Sequence, residues 1–180
     1  MTIHDLLIKN KGAILERWFD LIVETYPSDT ATLMRKDRDP FTNPVGSTIS
    51  REIGVLFETL CEGVQDERCQ SSLDSILKIR AIQDFPPSKG IGFIFMLKRA
   101  IEETLRNEIL KESLIEEWLR FQSRIDAMAL KAFDLYMGCR EKICEIRVNQ
   151  ARAEREMAFR MMERISTSKA KKQNGEEENP

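Results

Sequence analysis

At 180 residues the chain is long enough for one domain with an appendage, and a hydrophobic content of 42% is enough to bury a core. Its 28 Lys and Arg nearly balance its 30 Asp and Glu, which argues against a dedicated nucleic-acid binder. There is no long apolar run, no signal-peptide pattern after Met1 and no disulfide scaffold in 4 cysteines, so a cytoplasmic protein with reduced thiols and no membrane insertion is expected.

With only 8 Gly and 6 Pro, no repeat and no alternating strand pattern, the expected fold is all-α, with about six helices. Thr2 and Asp5 are spaced for a capping box at the start of the first helix. Leu7, Ile14, Trp18, Leu21 and Ile22 then share a face, interrupted at Gly12, and Tyr26-Pro27 stops the run. Ser28 is placed to cap a short helix from Thr30 to Arg35. Lys36 to Pro44 reads as a loop, because Asp39-Pro40 and Asn43-Pro44 are turn signals. A helix starting near Ser47 or Thr48 carries Ile49, Ile53, Leu56, Phe57 and Leu60 and ends near Gly63. Val64 to Gln70 is polar and expected to be exposed. Ser71 or Ser72 then caps a helix from Leu73 to about Gln83, with Ile76, Leu77, Ile79 and Ile82 on its apolar positions.

Pro86-Pro87 separates that helix from the most apolar stretch of the chain. Ser88 occupies an N-cap position, and Ile91, Phe93, Ile94, Phe95, Met96 and Leu97 make the following helix apolar nearly all round. Such a helix is expected to be buried at the centre of the domain, with Gly90 and Gly92 leaving room for a neighbouring backbone.

Ser113 and Glu116 form a second capping-box pattern, and helical periodicity then persists without proline to about Ile165. About 50 residues of helix would be roughly 75 Å long, with Gly138 as the one plausible kink. Large apolar residues from Leu114 to Leu135, among them Leu119, Leu130 and Phe133, are expected to pack on the core. Beyond them a seven-residue column runs Leu130, Met137, Cys144, Ala151, Ala158, Ile165. The column three residues later mixes Phe133, Arg140, Arg147, Glu154 and Met161, so the pattern is a weak seam rather than a full coiled coil. Met137, Cys144, Ala151, Ala158 and Ile165 are the expected homodimer seam. Residues 1–137 are then a regulatory core, 138–165 an extended helix for dimerisation or docking, and 166–180, with Lys169-Ala-Lys-Lys and Glu176-Glu-Glu, a disordered polar tail.

Little catalytic chemistry is present. The single histidine, His4, stands in the first turn of the first helix, where an exposed terminal residue is the ordinary reading. Histidine-dependent triads, zinc sites and a proximal haem histidine would each need one deeper in the chain. Cys139 and Cys144 diverge by about 140° on one helix, so they suit neither a shared metal nor a local disulfide. As redox thiols they remain possible, because Arg140 and Lys142 beside Cys139 favour a thiolate. Cys61 and Cys69 span a loop, where their pairing is open but unspecific, and ordinary buried or half-buried thiols are the usual reading. The carboxylates fall mostly in solvated helical spacings, and Gly90-Ile-Gly92 lies inside a helix rather than in a phosphate loop. No metal or cofactor is expected. The polar set flanking the Pro-Pro turn, Arg80, Gln83, Asp84, Ser88, Lys89 and Lys98, either braces the turn or lines a corner for a small ligand or partner. Arg80 and Asp84 are spaced to pair.

Several segments resemble one family. They are Trp18-Phe-Asp-Leu-Ile with Thr25-Tyr-Pro, the loop Asp39-Pro-Phe-Thr-Asn-Pro-Val-Gly46, Arg80-Ala-Ile-Gln-Asp-Phe85, Phe93-Ile-Phe-Met-Leu-Lys98 and Cys139-Arg-Glu-Lys-Ile. In order and spacing they are similar to the N-terminal domain of RsbRD-type RsbT co-antagonists, over residues 10–147. The resemblance implies an all-α sensory domain, loosely globin-like and without haem. In stressosome proteins such domains precede a STAS domain and pass signals through a linking helix. Here no STAS domain with its phosphorylatable threonines follows Ile165, which argues against direct antagonism of a partner-switching kinase. Stand-alone versions resemble those of anaerobic sulfate-reducing bacteria. The expected function is non-enzymatic signalling through protein partners, with STAS-domain proteins as candidates. The alternative is an accessory or assembly factor that binds subunits of an anaerobic sulfur-metabolism redox complex.

Overall fold

A computed structural model describes residues 1–36, 39–64 and 66–176, the last nine of these by their backbone alone. Asp37 and Arg38 of the expected loop, Gln65 of the expected polar run and residues 177–180 of the expected tail lie outside the described residues. Seven helices and no strand occur among the described residues: α1 (Ile3–Lys9), α2 (Lys11–Val23), α3 (Ser28–Lys36), α4 (Pro44–Glu62), α5 (Glu67–Ile82), α6 (Pro87–Lys111) and α7 (Ile115–Glu176). The chain divides into two units, Met1–Cys139 and Arg140–Pro180. Helix α7 continues to Glu176, into the segment expected as a tail.

Seven helices replace the expected six because the first is two. Asn10 leaves the helical conformation, and its side-chain amide donates to the Leu6 carbonyl at 2.9 Å. The break is at Asn10 and not at Gly12. The capping box forms as expected: Thr2 Oγ1 accepts from the Asp5 N–H, and the Asp5 carboxylate accepts from the Thr2 N–H at 2.8 Å.

Other helix starts differ from the sequence reading. Ser28 is the first residue of α3 and not its cap. Helix α4 begins at Pro44 and not near Ser47 or Thr48. Asn43 is buried, its Oδ1 accepts from the Gly46 N–H at 2.9 Å, and its amide donates to Met34 of α3 at 3.2 Å. Proline at the first position loses nothing, since its missing N–H would be unpaired there. Helix α5 begins at Glu67, six residues before the expected start, because Asp66 caps it through the Cys69 N–H. Within the run expected to be exposed, Cys69 is buried. Conversely, Ile82 is exposed. Helix α6 enters through Pro86 with no side-chain cap, so Ser88 lies inside its first turn.

The core of the first unit is built from α4 against α5 and α2 against α6, with the N-terminal part of α7 closing it. Trp18, Ile22, Phe57, Ile76, Leu77, Phe93, Ile101, Ile125 and Tyr136 are all buried. Helix α6 is central but not buried all round: Phe93, Ile94 and Leu97 face inward while Phe95 is 44% exposed. On α7, Trp118, Phe121, Ile125, Met128 and Tyr136 pack on the core, whereas Leu119, Leu130 and Phe133 remain exposed. In both helices the apolar run is wider than the arc that the neighbours cover.

Gly90 is required by packing. A Cβ there would lie 2.6 Å from the ring of Tyr136, which is buried and whose hydroxyl donates to the Phe85 carbonyl. Gly92 has open space around it. Two non-glycine residues close helices in the left-handed conformation. Asp84 (φ 56°) and Phe85 return N–H bonds to Ala81 and Arg80 at the end of α5, and Ser113 (φ 55°) and Leu114 do the same for α6. Ser113 therefore ends α6 rather than capping α7.

Gly90→Ala gains up to about 1 kcal/mol of helix propensity but overpacks the Tyr136 ring at roughly 1–3 kcal/mol. A net loss of about 1–2 kcal/mol is expected, read from urea denaturation. On the surface, Arg17 and Arg99 reach Glu103 at 2.5 and 2.7 Å and hold its carboxyl down at about 2, against the ordinary 4.5. A depressed pKa adds stability above the unfolded-state value and loses it as pH falls from about 4.5 towards about 2. Glu103→Gln should therefore flatten the fall in melting temperature across that window. Equal slopes in the two proteins would show that the cluster contributes nothing.

Candidate functional site

Arg80 is the most unusual polar residue of the expected corner, because it is fully buried. Its Nη2 donates to the Lys89 carbonyl at 3.0 Å and to Thr25 Oγ1 at 3.3 Å, and Nη1 reaches the Tyr26 hydroxyl at 3.5 Å. Its Nε has no partner among the described residues. The guanidinium carbon lies 4.4 Å from the Phe85 ring centre, 5.5 Å from that of Tyr26 and 5.7 Å from that of Phe93. Among the described residues no carboxylate pairs with it, and burial pushes its pKa down. Aromatic faces and three oxygens thus replace its hydration. Asp84 is not among its partners; the left-handed turn that ends α5 takes Asp84 out of the i,i+4 geometry.

The other corner residues do not converge with Arg80. Gln83, Asp84, Ser88 and Lys89 are exposed. Lys98 is half-buried, bonded to Asp126 of α7 at 2.5 Å and 5.7 Å from the Phe95 ring centre. Arg80 instead ties α5 to the α2–α3 connection and to the first turn of α6.

The expected seam residues lie at the surface. In the first unit, Met137 is exposed and Cys139 half-buried. In the second unit Cys144, Ala151, Ala158 and Ile165 are all exposed, and the helix adds Val148 and Met162 at i+4 spacings to the same face. Arg155 is the one charged residue within that stripe. None of the four cysteines is in a disulfide. Burial pushes the Cys61 thiol up to about 12 and raises that of Cys69, so both stay protonated at neutral pH.

A concavity that sequence reasoning missed lies between α1, the end of α4 and α7. Its volume is about 470 Å³. Ile3, Leu7, Cys61 and Phe121 form a buried floor, and His4, Glu117, Arg120 and Arg124 form the rim. Glu117 accepts the Ile3 N–H at 2.8 Å, which joins α7 to the start of α1. Arg124 Nη1 donates to the last carbonyls of α4, Leu60 at 3.1 Å and Cys61 at 3.5 Å. Gly63 (φ 72°) clears that path, since a Cβ there would stand 3.2 Å from the guanidinium. The lining comes from three distant segments, and only the i,i+4 spacing of Arg120 and Arg124 was visible locally.

Among the described residues no group of His, Cys, Asp and Glu is placed to hold a metal ion, and no helix is long and apolar enough to cross a membrane. Residues 12–151 match the family model described as the RsbT co-antagonist protein rsbRD N-terminal domain. An uncharacterized protein of Archaeoglobus fulgidus is 32% identical over 160 residues, which cover 88% of this chain and 96% of the relative. No solved structure matches the chain.

Arg80→Ala leaves a void among three rings, so a loss of about 2–4 kcal/mol is expected. Arg80→Met fills the volume and removes an unpaired buried charge, and should stay within about 1 kcal/mol of the parent. Thermal unfolding of both variants checks this pair. Equal losses would mean that the hydrogen bonds, rather than the volume, hold the corner.

Proposed function

Because the chain belongs to the family of RsbT co-antagonist RsbRD N-terminal domains, we propose that it is a non-enzymatic regulatory domain that works by binding another protein. The observation that carries this reading is the surface of the second unit. Cys144, Val148, Ala151, Ala158, Met162 and Ile165 form one stripe on a helix whose residues from Glu141 to Thr167 are exposed except Ile143, which is half-buried. A helix with an apolar face gains most of its stability by covering that face. The simplest cover is a second copy of the same helix, which makes the protein a homodimer. Small residues at 151 and 158 favour close approach. STAS-domain proteins are the partner class that the family supports for the rest of the surface, and a cytoplasmic location suits such partners.

The placement of the histidine and the buried thiols fits the same reading. The lone histidine is exposed at a rim, and the buried thiols Cys61 and Cys69 are held protonated. A second reading, an accessory factor of an anaerobic redox complex, draws on the exposed Cys144 within the stripe. Co-purification at low oxygen separates the two: STAS proteins or a partner-switching kinase favour the first, redox-enzyme subunits the second.

Ala151→Glu places a charge at the middle of the stripe while keeping a good helix former. The mass in light scattering should fall from dimer to monomer, with some loss of helix content as the face is uncovered. An unaltered mass would remove the seam.

A further inference from the structure

We propose that the cavity between α1, α4 and α7 binds a small organic carboxylate with a short apolar tail, its carboxylate on Arg120 and Arg124 and its tail on the floor beneath. This inference stands apart from the docking reading, since it concerns the first unit alone. About 470 Å³ falls within the range of small-molecule sites, which combine an apolar lining with a few convergent polar groups. The floor is apolar and withdrawn from water: Ile3, Leu7, Cys61 and Phe121 are each less than one-tenth exposed.

The rim carries an excess of positive charge. Arg120 and Arg124 stand one turn apart on α7, and the one acidic rim residue, Glu117, is already engaged by the Ile3 N–H. Among the described residues Arg120 meets only Glu116, at 3.6 Å and with both side chains more than three-quarters exposed, a contact of little strength. Arg124 is held in place by Leu60 and Cys61 through Nη1, and its remaining N–H donors have no partner among the described residues. A guanidinium fixed in this way has little ordering entropy left to lose when it takes a carboxylate. Guanidinium forks match carboxylates in two-point geometry. A free phosphate would use the rim but leave the apolar floor in water, and an uncharged alcohol would use the floor but leave the guanidinium groups unpaired.

The test uses the full chain, titrated with sodium hexanoate and followed by amide chemical shifts in two-dimensional NMR. Saturable shifts are expected at Ile3, Leu7, Cys61 and Phe121, with 1-hexanol and inorganic phosphate binding at least about tenfold more weakly. Arg120→Gln is an exposed substitution that should leave the melting temperature unchanged and weaken hexanoate about tenfold, as expected for one charge-assisted hydrogen bond. Absence of saturable shifts, equal binding of hexanol or phosphate, or full affinity in Arg120→Gln would overturn the proposal.

Discussion

Three helices fasten themselves to the first two turns of α6. Trp18 of α2 donates its indole N–H to the Phe93 carbonyl at 2.7 Å, and Arg80 of α5 donates to the Lys89 carbonyl. Tyr136 of α7 lies against Gly90, with its hydroxyl on the Phe85 carbonyl just before the Pro-Pro turn. Each bond runs from a buried side chain to backbone, so each fixes a helix position rather than a side-chain preference. In a dry interior such bonds are worth keeping, because a donor left unpaired there loses its hydration without return. The rest of the first unit depends on this attachment. With Tyr136 on Gly90 and Asp126 on Lys98, α7 has one register along α6, and in that register Arg124 meets the end of α4.

The connections are equally constrained. Gly63, Asp84 and Ser113 all end helices in the left-handed conformation, where a non-glycine residue costs about 1–2 kcal/mol. At the two non-glycine turns the next residue offsets that cost. Leu114 is buried, and Phe85 is half-buried with its ring edge-on to Tyr26 at 5.4 Å, the hydrophobic contact that commonly accompanies this helix ending. Turn strain and core packing are thus one arrangement. It is also why Arg80, whose guanidinium sits over Phe85, belongs to the fold as much as to any surface.

The two units present different kinds of surface. The first buries an apolar core and carries, between α1, α4 and α7, a concavity whose rim is cationic and whose floor is dry. The second is a helix with almost nothing buried among the described residues, and its exposed apolar side chains include the stripe from Cys144 to Ile165 as well as Ile146, Met157 and Met161 outside it. A small solute suits the former and another polypeptide suits the latter, because a concavity encloses a ligand whereas an open helix face needs a complementary face to exclude water.

Much of this was legible in the residues. The all-α class, the family, the capping box at Thr2 and the stop at Gly63 rest on signals within a few residues of each other, and local periodicity carries them. Helix starts at Asn43 and Asp66 were not legible, because a cap is chosen by the direction from which the chain arrives: Asn43 caps α4 while its amide holds Met34 of α3. Ser88 and Ser113 look like caps for the same local reasons and are not. Only the tertiary structure decided that Arg80 is interior and that its nearest carboxylate in sequence is no partner. It alone joined His4, Cys61 and Arg124, from three separate segments, around one cavity. Periodicity determines which face of a helix is apolar; which part of that face is covered depends on neighbours brought in from far along the chain.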